Sequence, residues 1–119
     1  SQIITKVIHN MHSKDKKMVE VAKEYVRNHY HEKITLENIA AVTYLNPNYF
    51  CEMFKNQTGE NFIDYLTRYR MERAKELLRD VRMKTYEVSH RVGYDNADYF
   101  CKVFKKVVGV PPGQYRDLD

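Results

Sequence analysis

Apolar residues recur at helical spacing along most of the chain, separated by short polar turns, and the pattern predicts an all-α protein. It is clearest in two places. Phe50, Met53, Phe54 and Gln57 share one side of a helix, leaving Asn48, Glu52 and Lys55 outside and Cys51 on the flank. Fifty residues on, Phe100, Val103 and Phe104 face inward while Asp98, Lys102 and Lys105 point out. Overlaid, residues 46–65 and 96–115 share Asn46/Asn96, Tyr49/Tyr99, Phe50/Phe100, Cys51/Cys101, Phe54/Phe104, Lys55/Lys105, Gly59/Gly109 and Tyr65/Tyr115. The chain holds one module twice. In each copy an asparagine, before Pro47 or Ala97, is placed to cap the helix start, and a glycine follows its end.

A shorter helix precedes each of these. Thr35 can cap one reaching about Thr43, with Leu36, Ile39 and Ala40 inward, and Tyr44, Leu45 and Asn46 make the turn. Thr85 to Val92 repeats it, followed by Gly93, Tyr94, Asp95 and Asn96. The first helices match best with a shift of forty-nine residues rather than fifty (Ile39/Val88, Ala40/Ser89), so the second turn is one residue longer. Gly93 suits a residue leaving a helix with positive φ. Two helices joined by a tight turn, the second presenting a polar face, read as a helix-turn-helix.

Upstream, Ile3, Ile4, Val7, Ile8 and Met11 form an apolar stripe that is either the tail of a coiled linker or a helix end docked on its own domain. With Ser1 in first place, this predicts a segment inside a longer protein. After Ser13 and Asp15, a supporting helix is expected with Met18, Ala22, Tyr25, Val26 and His29 on one face, ending before Ile34. Between the modules, about Phe62 to Arg79 runs without Gly or Pro as a connector, its apolar stripe assigned to Ile63, Leu66, Ala74 and Leu77. Arg70 falls within that stripe and needs a partner, either carbonyls at a helix end or a carboxylate. Arg68, Lys75 and Arg79 lie opposite, with Glu72 and Glu76 in reach for ion pairs. Pro112 can open a last short helix, with Tyr115 packing back. The expected organisation is a helical linker and support (1–33), a first helix-turn-helix (34–60), a connector (61–80) and a second helix-turn-helix with a final helix (81–119): about seven helices plus an N-terminal extension.

The chain has 119 residues, enough for one ordinary domain or two small subdomains. Net charge +4 permits a nucleic-acid partner without requiring one. The balance is uneven: residues 34–66 carry net −3, whereas 1–33 and 67–83 each carry +3 and 84–119 carry +1. No apolar run approaches the roughly 20 residues of a membrane span, and no signal or lipidation motif appears, so a soluble cytoplasmic protein is expected. The two cysteines hold equivalent positions on different helices and are expected to stay reduced thiols. Histidines stand in pairs, His9 with His12 and His29 with His31, without a third ligand, and neither His90 nor a cysteine forms a nucleophile–base pair. No glycine-rich phosphate loop exists. No catalysis, metal or cofactor is expected.

DNA recognition needs a helix that fits the major groove, side chains that reach base edges, and cations for phosphates. The repeated helices supply the first two. A connector of about 18 residues at 1.5 Å each spans about 27 Å, comparable with the roughly 34 Å between successive major grooves on one DNA face. Tyr49, Phe50, Tyr99 and Phe100 could stack on bases, but their helical spacing predicts core positions.

The stretch GYDNADYFCKVFKK, a following glycine and PPGQYR resemble the second module and closing signature of the DNA-binding domain of AraC-family transcription regulators. The resemblance covers about residues 34–116 and includes the connector with Arg70, Ala74, Leu77 and Leu78. The segment EYVRNHYHEKITLENIA is similar to that of response regulators with this output domain. The resemblance implies seven helices, two helix-turn-helix units on one long helix, and transcription control at promoters, often activation. Its base-reading places fall on Asn48, Cys51 and Glu52, and on Ala97, Asp98, Cys101 and Lys102. Lys55, Lys105 and Lys106 are expected near phosphates. The family commonly has arginine where Glu52 stands; a glutamate there either accepts from a cytosine amino group or marks a weakly binding module. Expected partners are double-stranded promoter DNA, RNA polymerase and an upstream signalling or effector domain of the same chain. The alternative is a protein-interaction module of the same fold, whose acidic first unit contacts polymerase or another partner.

Overall fold

A computed structural model describes the backbone of residues 2–118 and the side chains of residues 13–118. The described residues form seven helices and no strand: α1 (Gln2–His29), α2 (Leu36–Thr43), α3 (Pro47–Thr58), α4 (Phe62–Leu78), α5 (Thr85–Arg91), α6 (Ala97–Val108) and α7 (Pro112–Asp117). They divide into two compact units. Among the described residues, the first comprises those up to His29 together with Ile34–Ile63, and the second Tyr30–Lys33 together with those from Asp64 on.

In the first unit α1, α2 and α3 pack pairwise. The expected extension and supporting helix are a single helix, α1. Ser13 and Asp15 are caps only where the chain is otherwise inclined to break, and no Gly or Pro occurs before Pro47 to break it. The Ile3–Met11 stripe lies outside the residues whose side chains are described. Further along α1, Val19, Ala22 and Val26 are buried, so Val19 joins the core while Met18, Tyr25 and His29 lie at its margin. Against them stand Ile39 and Ala40 of α2 and Phe50, Met53 and Phe54 of α3, all buried. Phe62, at the start of α4, closes a ring triad with Phe50 and Phe54 at centroid separations of 5.4 and 5.5 Å.

The connector's buried stripe differs from the expected one. Ile63 is 46% exposed and Leu77 only half-buried, whereas Phe62, Tyr65, Leu66, Met71, Ala74 and Leu78 are buried. Leu66 and Ala74 are buried as expected, while Ile63 and Leu77 give way to their neighbours Phe62 and Leu78, and Tyr65 and Met71 complete the 3.6-residue period. In the second unit Met71, Ala74 and Leu78 pack with Val88 and Val92 of α5 and Phe100 and Phe104 of α6. Pro112 begins α7, and Tyr115 meets Phe104 edge to face at 5.6 Å.

The two helix-turn-helix turns share one hydrogen-bond pattern at a spacing of forty-nine. Tyr44 N–H donates to Ala41 O at 3.2 Å and Leu45 N–H to Ala40 O at 2.9 Å; Gly93 N–H donates to His90 O at 3.1 Å and Tyr94 N–H to Ser89 O at 2.9 Å. This is the Schellman motif, which satisfies the last carbonyls of the first helix by placing one residue in the left-handed region. Gly93 occupies it with φ +100° and Tyr44 with φ 58°. The motifs superpose through Tyr94, and Asn46 and Asn96 resume the fifty-residue register, so Asp95 is the extra residue. Glycine is required at 93 on a second count: a Cβ there would lie 2.9 Å from Tyr30 O and 3.2 Å from the Arg70 guanidinium carbon.

The turns make opposite forecasts for stability. Tyr44 is 95% exposed, so its ring offsets little of its left-handed strain. Tyr44→Gly should raise stability by up to about 1 kcal/mol in thermal or urea melts. Gly93→Ala should lower it by about 1–3 kcal/mol, from strain and close contact together. A destabilised Tyr44→Gly would mean that the exposed ring holds the turn.

Candidate nucleic-acid interface

Each second helix of a module is fixed at three points. Asn46 Oδ1 accepts from Asn48 N–H at 2.8 Å and Tyr49 N–H at 3.4 Å, and Asn96 Oδ1 accepts from Tyr99 N–H at 2.9 Å, setting the helix starts. Phe50 with Phe54, and Phe100 with Phe104, are fully buried, their rings 5.7 and 5.8 Å apart, setting the rotation about the axis. Gly59 and Gly109 close the ends.

That rotation places the expected residues. Asn48, Glu52 and Lys55 are exposed on α3; Asp98, Lys102, Lys105 and Lys106 are exposed on α6. Cys51, Ala97 and Cys101 are half-buried at the margin. Each helix therefore gathers its own set on one outward side, with the lysines at 55, 105 and 106 in the last turns. Both cysteines are free thiols, and burial, followed by the Asp98 carboxylate, pushes the Cys101 thiol pKa up, favouring the protonated form.

Tyr49 and Tyr99 do not take the core positions expected for them. They are 41% and 59% exposed, because each precedes its buried phenylalanine and is turned about 100° from it. The Tyr49 hydroxyl donates to Asp15 Oδ1 of α1 at 2.9 Å, and that bond to a carboxylate, followed by desolvation, raises the phenol pKa. The Tyr99 ring lies 5.9 Å from that of Tyr94.

Two arginines hold the second unit. Arg70 Nε donates to Tyr30 O and Nη2 to Glu32 O, both at 2.8 Å, with the guanidinium 5.4 Å from the Tyr94 ring centre. Its partners are therefore carbonyls after a helix end and not a carboxylate. Arg116 was not singled out from the sequence. Its Nε donates to Leu78 O at 2.8 Å, and its Nη2 to Asp80 O at 3.3 Å and Met83 O at 2.6 Å, so it satisfies the end of α4 and the loop into α5. The available signal was an arginine beside Tyr115, which packs inward from a helix too short to hold itself. Elsewhere on α4, Lys75 meets Glu72 and Arg73 meets Glu76, both at 3.0 Å.

Residues 39–117 match the model of a helix-turn-helix domain family. The chain belongs to the AraC-type helix-turn-helix family. It is 33% identical over 104 residues to the HTH-type transcriptional regulator YijO of Escherichia coli, covering 87% of this chain and 37% of that protein. It resembles the C-terminal domain of AraT, a response regulator from Geobacillus stearothermophilus, with a TM-score of 0.83 and 40% identity over 86% of this chain and 85% of that one. The DNA-binding domain of AdpA, solved with a target DNA, matches with a TM-score of 0.78 and 26% identity over 85% of this chain and 90% of that one. The chain spans from about an eighth to two fifths of the length of the curated relatives it matches. Among the described residues no helix is long and apolar enough to cross a membrane. The family and its structural neighbours are transcription regulators rather than enzymes.

In this AraC-type domain the arginine contacts should be worth more than exposed ion pairs, because removing Arg70 takes the donor from two carbonyls and removing Arg116 takes it from three. Arg70→Met and Arg116→Met should each lower stability by about 1–3 kcal/mol. Glu72→Gln on α4 should change it by less than about 0.5 kcal/mol. Chemical denaturation of the three variants gives the ranking, and an Arg70→Met protein of unchanged stability that loses DNA would assign Arg70 a contact role.

Proposed function

We propose that this domain binds double-stranded promoter DNA sequence-specifically, with α3 and α6 as recognition helices in successive major grooves. The observation that carries the reading is the pairing, on both helices, of an identical buried aromatic stripe with an outward polar face starting at the second helical residue. The N-terminal residues of a recognition helix meet base edges in helix-turn-helix complexes. Asn48, Cys51 and Glu52 form the first reading set, and Ala97, Asp98, Cys101 and Lys102 the second. Lys55, Lys105 and Lys106 meet phosphates, as suits cations in the last turn. The domain works by binding, without catalysis, metal or cofactor, in the cytoplasm, as the output part of a longer regulator whose upstream domain receives the signal.

A second reading is favoured by a specific feature of the first unit. A groove of about 670 Å³ opens there beside the strongly exposed Tyr44, lined also by Met18, Leu45 and Tyr49. With residues 34–66 at net −3, the first module would then hold RNA polymerase or another protein while the second holds DNA.

Footprinting combined with selection from random sequence tests the main reading: a bound site with two segments about one DNA turn apart is expected. Lys102→Ala should weaken binding to that site more than Glu52→Ala does, and equal losses would count against a dominant second module. Lys105→Ala and Lys106→Ala should weaken all sequences evenly and lower the slope of log affinity against log salt by about 1 each.

A further inference from the structure

Asn48 and Asp98 are each the second residue of their helix, behind an asparagine cap and two positions before the first buried phenylalanine. Glu52 and Lys102 stand four residues further on, the same distance past that phenylalanine. The two helices thus present one pair of outward positions in one register, and all four side chains are exposed. Four residues advance about 6 Å along a helix, or roughly two base-pair steps of 3.4 Å. The charges of Arg73 and Lys75 are taken up by Glu76 and Glu72, but among the described residues no ion pair takes up Glu52 or Lys102.

The first position carries an acceptor oxygen in both modules, and the hydrogen-bond sense of the second is reversed. Asn48 offers an amide oxygen and Asp98 a carboxylate, so each accepts from a base that displays an exocyclic amino group, adenine for Asn48 and cytosine for Asp98. Glu52 is again an acceptor, matched to the cytosine amino group. Lys102 is only a donor, matched to O6 and N7 of guanine. From this we infer that the two modules read half-sites alike in calling for an amino-bearing base at the first contact, and opposed at the second: cytosine under Glu52, guanine under Lys102. The inference rests on the DNA-binding reading above and names the sequence class that site takes.

Selection from random double-stranded sequence with the 119-residue chain and three single variants, Glu52→Lys, Glu52→Gln and Lys102→Glu, tests it. All three changes are on exposed positions, and matching melting curves establish that each variant is folded. Expected for Glu52→Lys is a change from cytosine to guanine at one position of one half-site, the others keeping their bases. Expected for Glu52→Gln is adenine at that position, since an amide pairs with N6 and N7. Lys102→Glu should turn guanine into cytosine in the other half-site. Each variant should lose on the order of ten- to a hundredfold affinity for the original site and regain it on its own. Two half-sites with unchanged bases at these positions in the variants would overturn the inference and leave the DNA-binding reading standing. A Glu52→Lys protein that binds every sequence more tightly with no new base preference would also overturn it, making Glu52 a repeller of phosphate. If the unaltered chain selects no sequence, the DNA-binding reading itself falls.

Discussion

The arrangement depends on burying two phenylalanines one helical turn apart, Phe50 with Phe54 and Phe100 with Phe104. A helix of twelve residues is marginal alone, and a short polar helix in water has no preferred orientation. Complete burial of two rings removes that freedom. It offsets the cost of ordering the helix by roughly 1.5–3 kcal/mol per ring, and it decides which residues face out. Exposure of Asn48, Glu52, Asp98 and Lys102 follows from the inward rings. The rings in turn need surfaces to pack on: α1, α2 and Phe62 in the first unit, and α4, α5 and Tyr115 in the second.

Backbone accounting sets the second constraint, because short helices end often and every end leaves carbonyls without partners. The chain answers in two ways. At the helix-turn-helix turns the backbone answers itself, through one left-handed residue and two hydrogen bonds. At the longer breaks, after α1 and after α4, an arginine reaches the carbonyls directly. Arg70 and Gly93 are linked through this: the guanidinium lies where a Cβ on residue 93 would crowd it, so the second turn takes glycine for its contacts as well as its φ. The first turn contains Tyr44 instead, mostly in solvent.

Much of this was legible in the sequence because it is local. Helical periodicity located the buried faces of α2, α3 and α6, and asparagine and glycine marked the ends of α3 and α6. The forty-nine-residue shift between first helices located the longer turn, which Asp95 lengthens. What escaped has non-local causes. Ile63 and Phe62 are adjacent and equally apolar, and only the ring triad with Phe50 and Phe54 decides which one is buried. Tyr49 lies outside the core by its place on the helix, but the carboxylate that its hydroxyl meets is thirty-four residues earlier. Arg116 finds its acceptors more than thirty residues upstream, and Tyr44 is no glycine, so its left-handed conformation carried no signature. On the outward faces periodicity gives position and charge, while what each side chain meets is a property of the partner.

The same separation explains how the modules can differ as they do. Core changes cost several kcal/mol through lost packing, whereas substitutions at exposed positions away from caps and turns usually shift stability by about 0.5 kcal/mol or less. Phe50, Phe54, Phe100 and Phe104 are therefore tied to the fold, and Glu52 and Lys102 are not. A duplicated module under these constraints keeps its buried phenylalanines and is free to vary exposed positions such as 52 and 102. The glutamate of one copy and the lysine of the other, set in one register by the same buried rings, differ in charge and hydrogen-bond sense without a structural cost to either. Their difference is therefore one that the fold permits, and the half-site reading proposed above is what would give it a use.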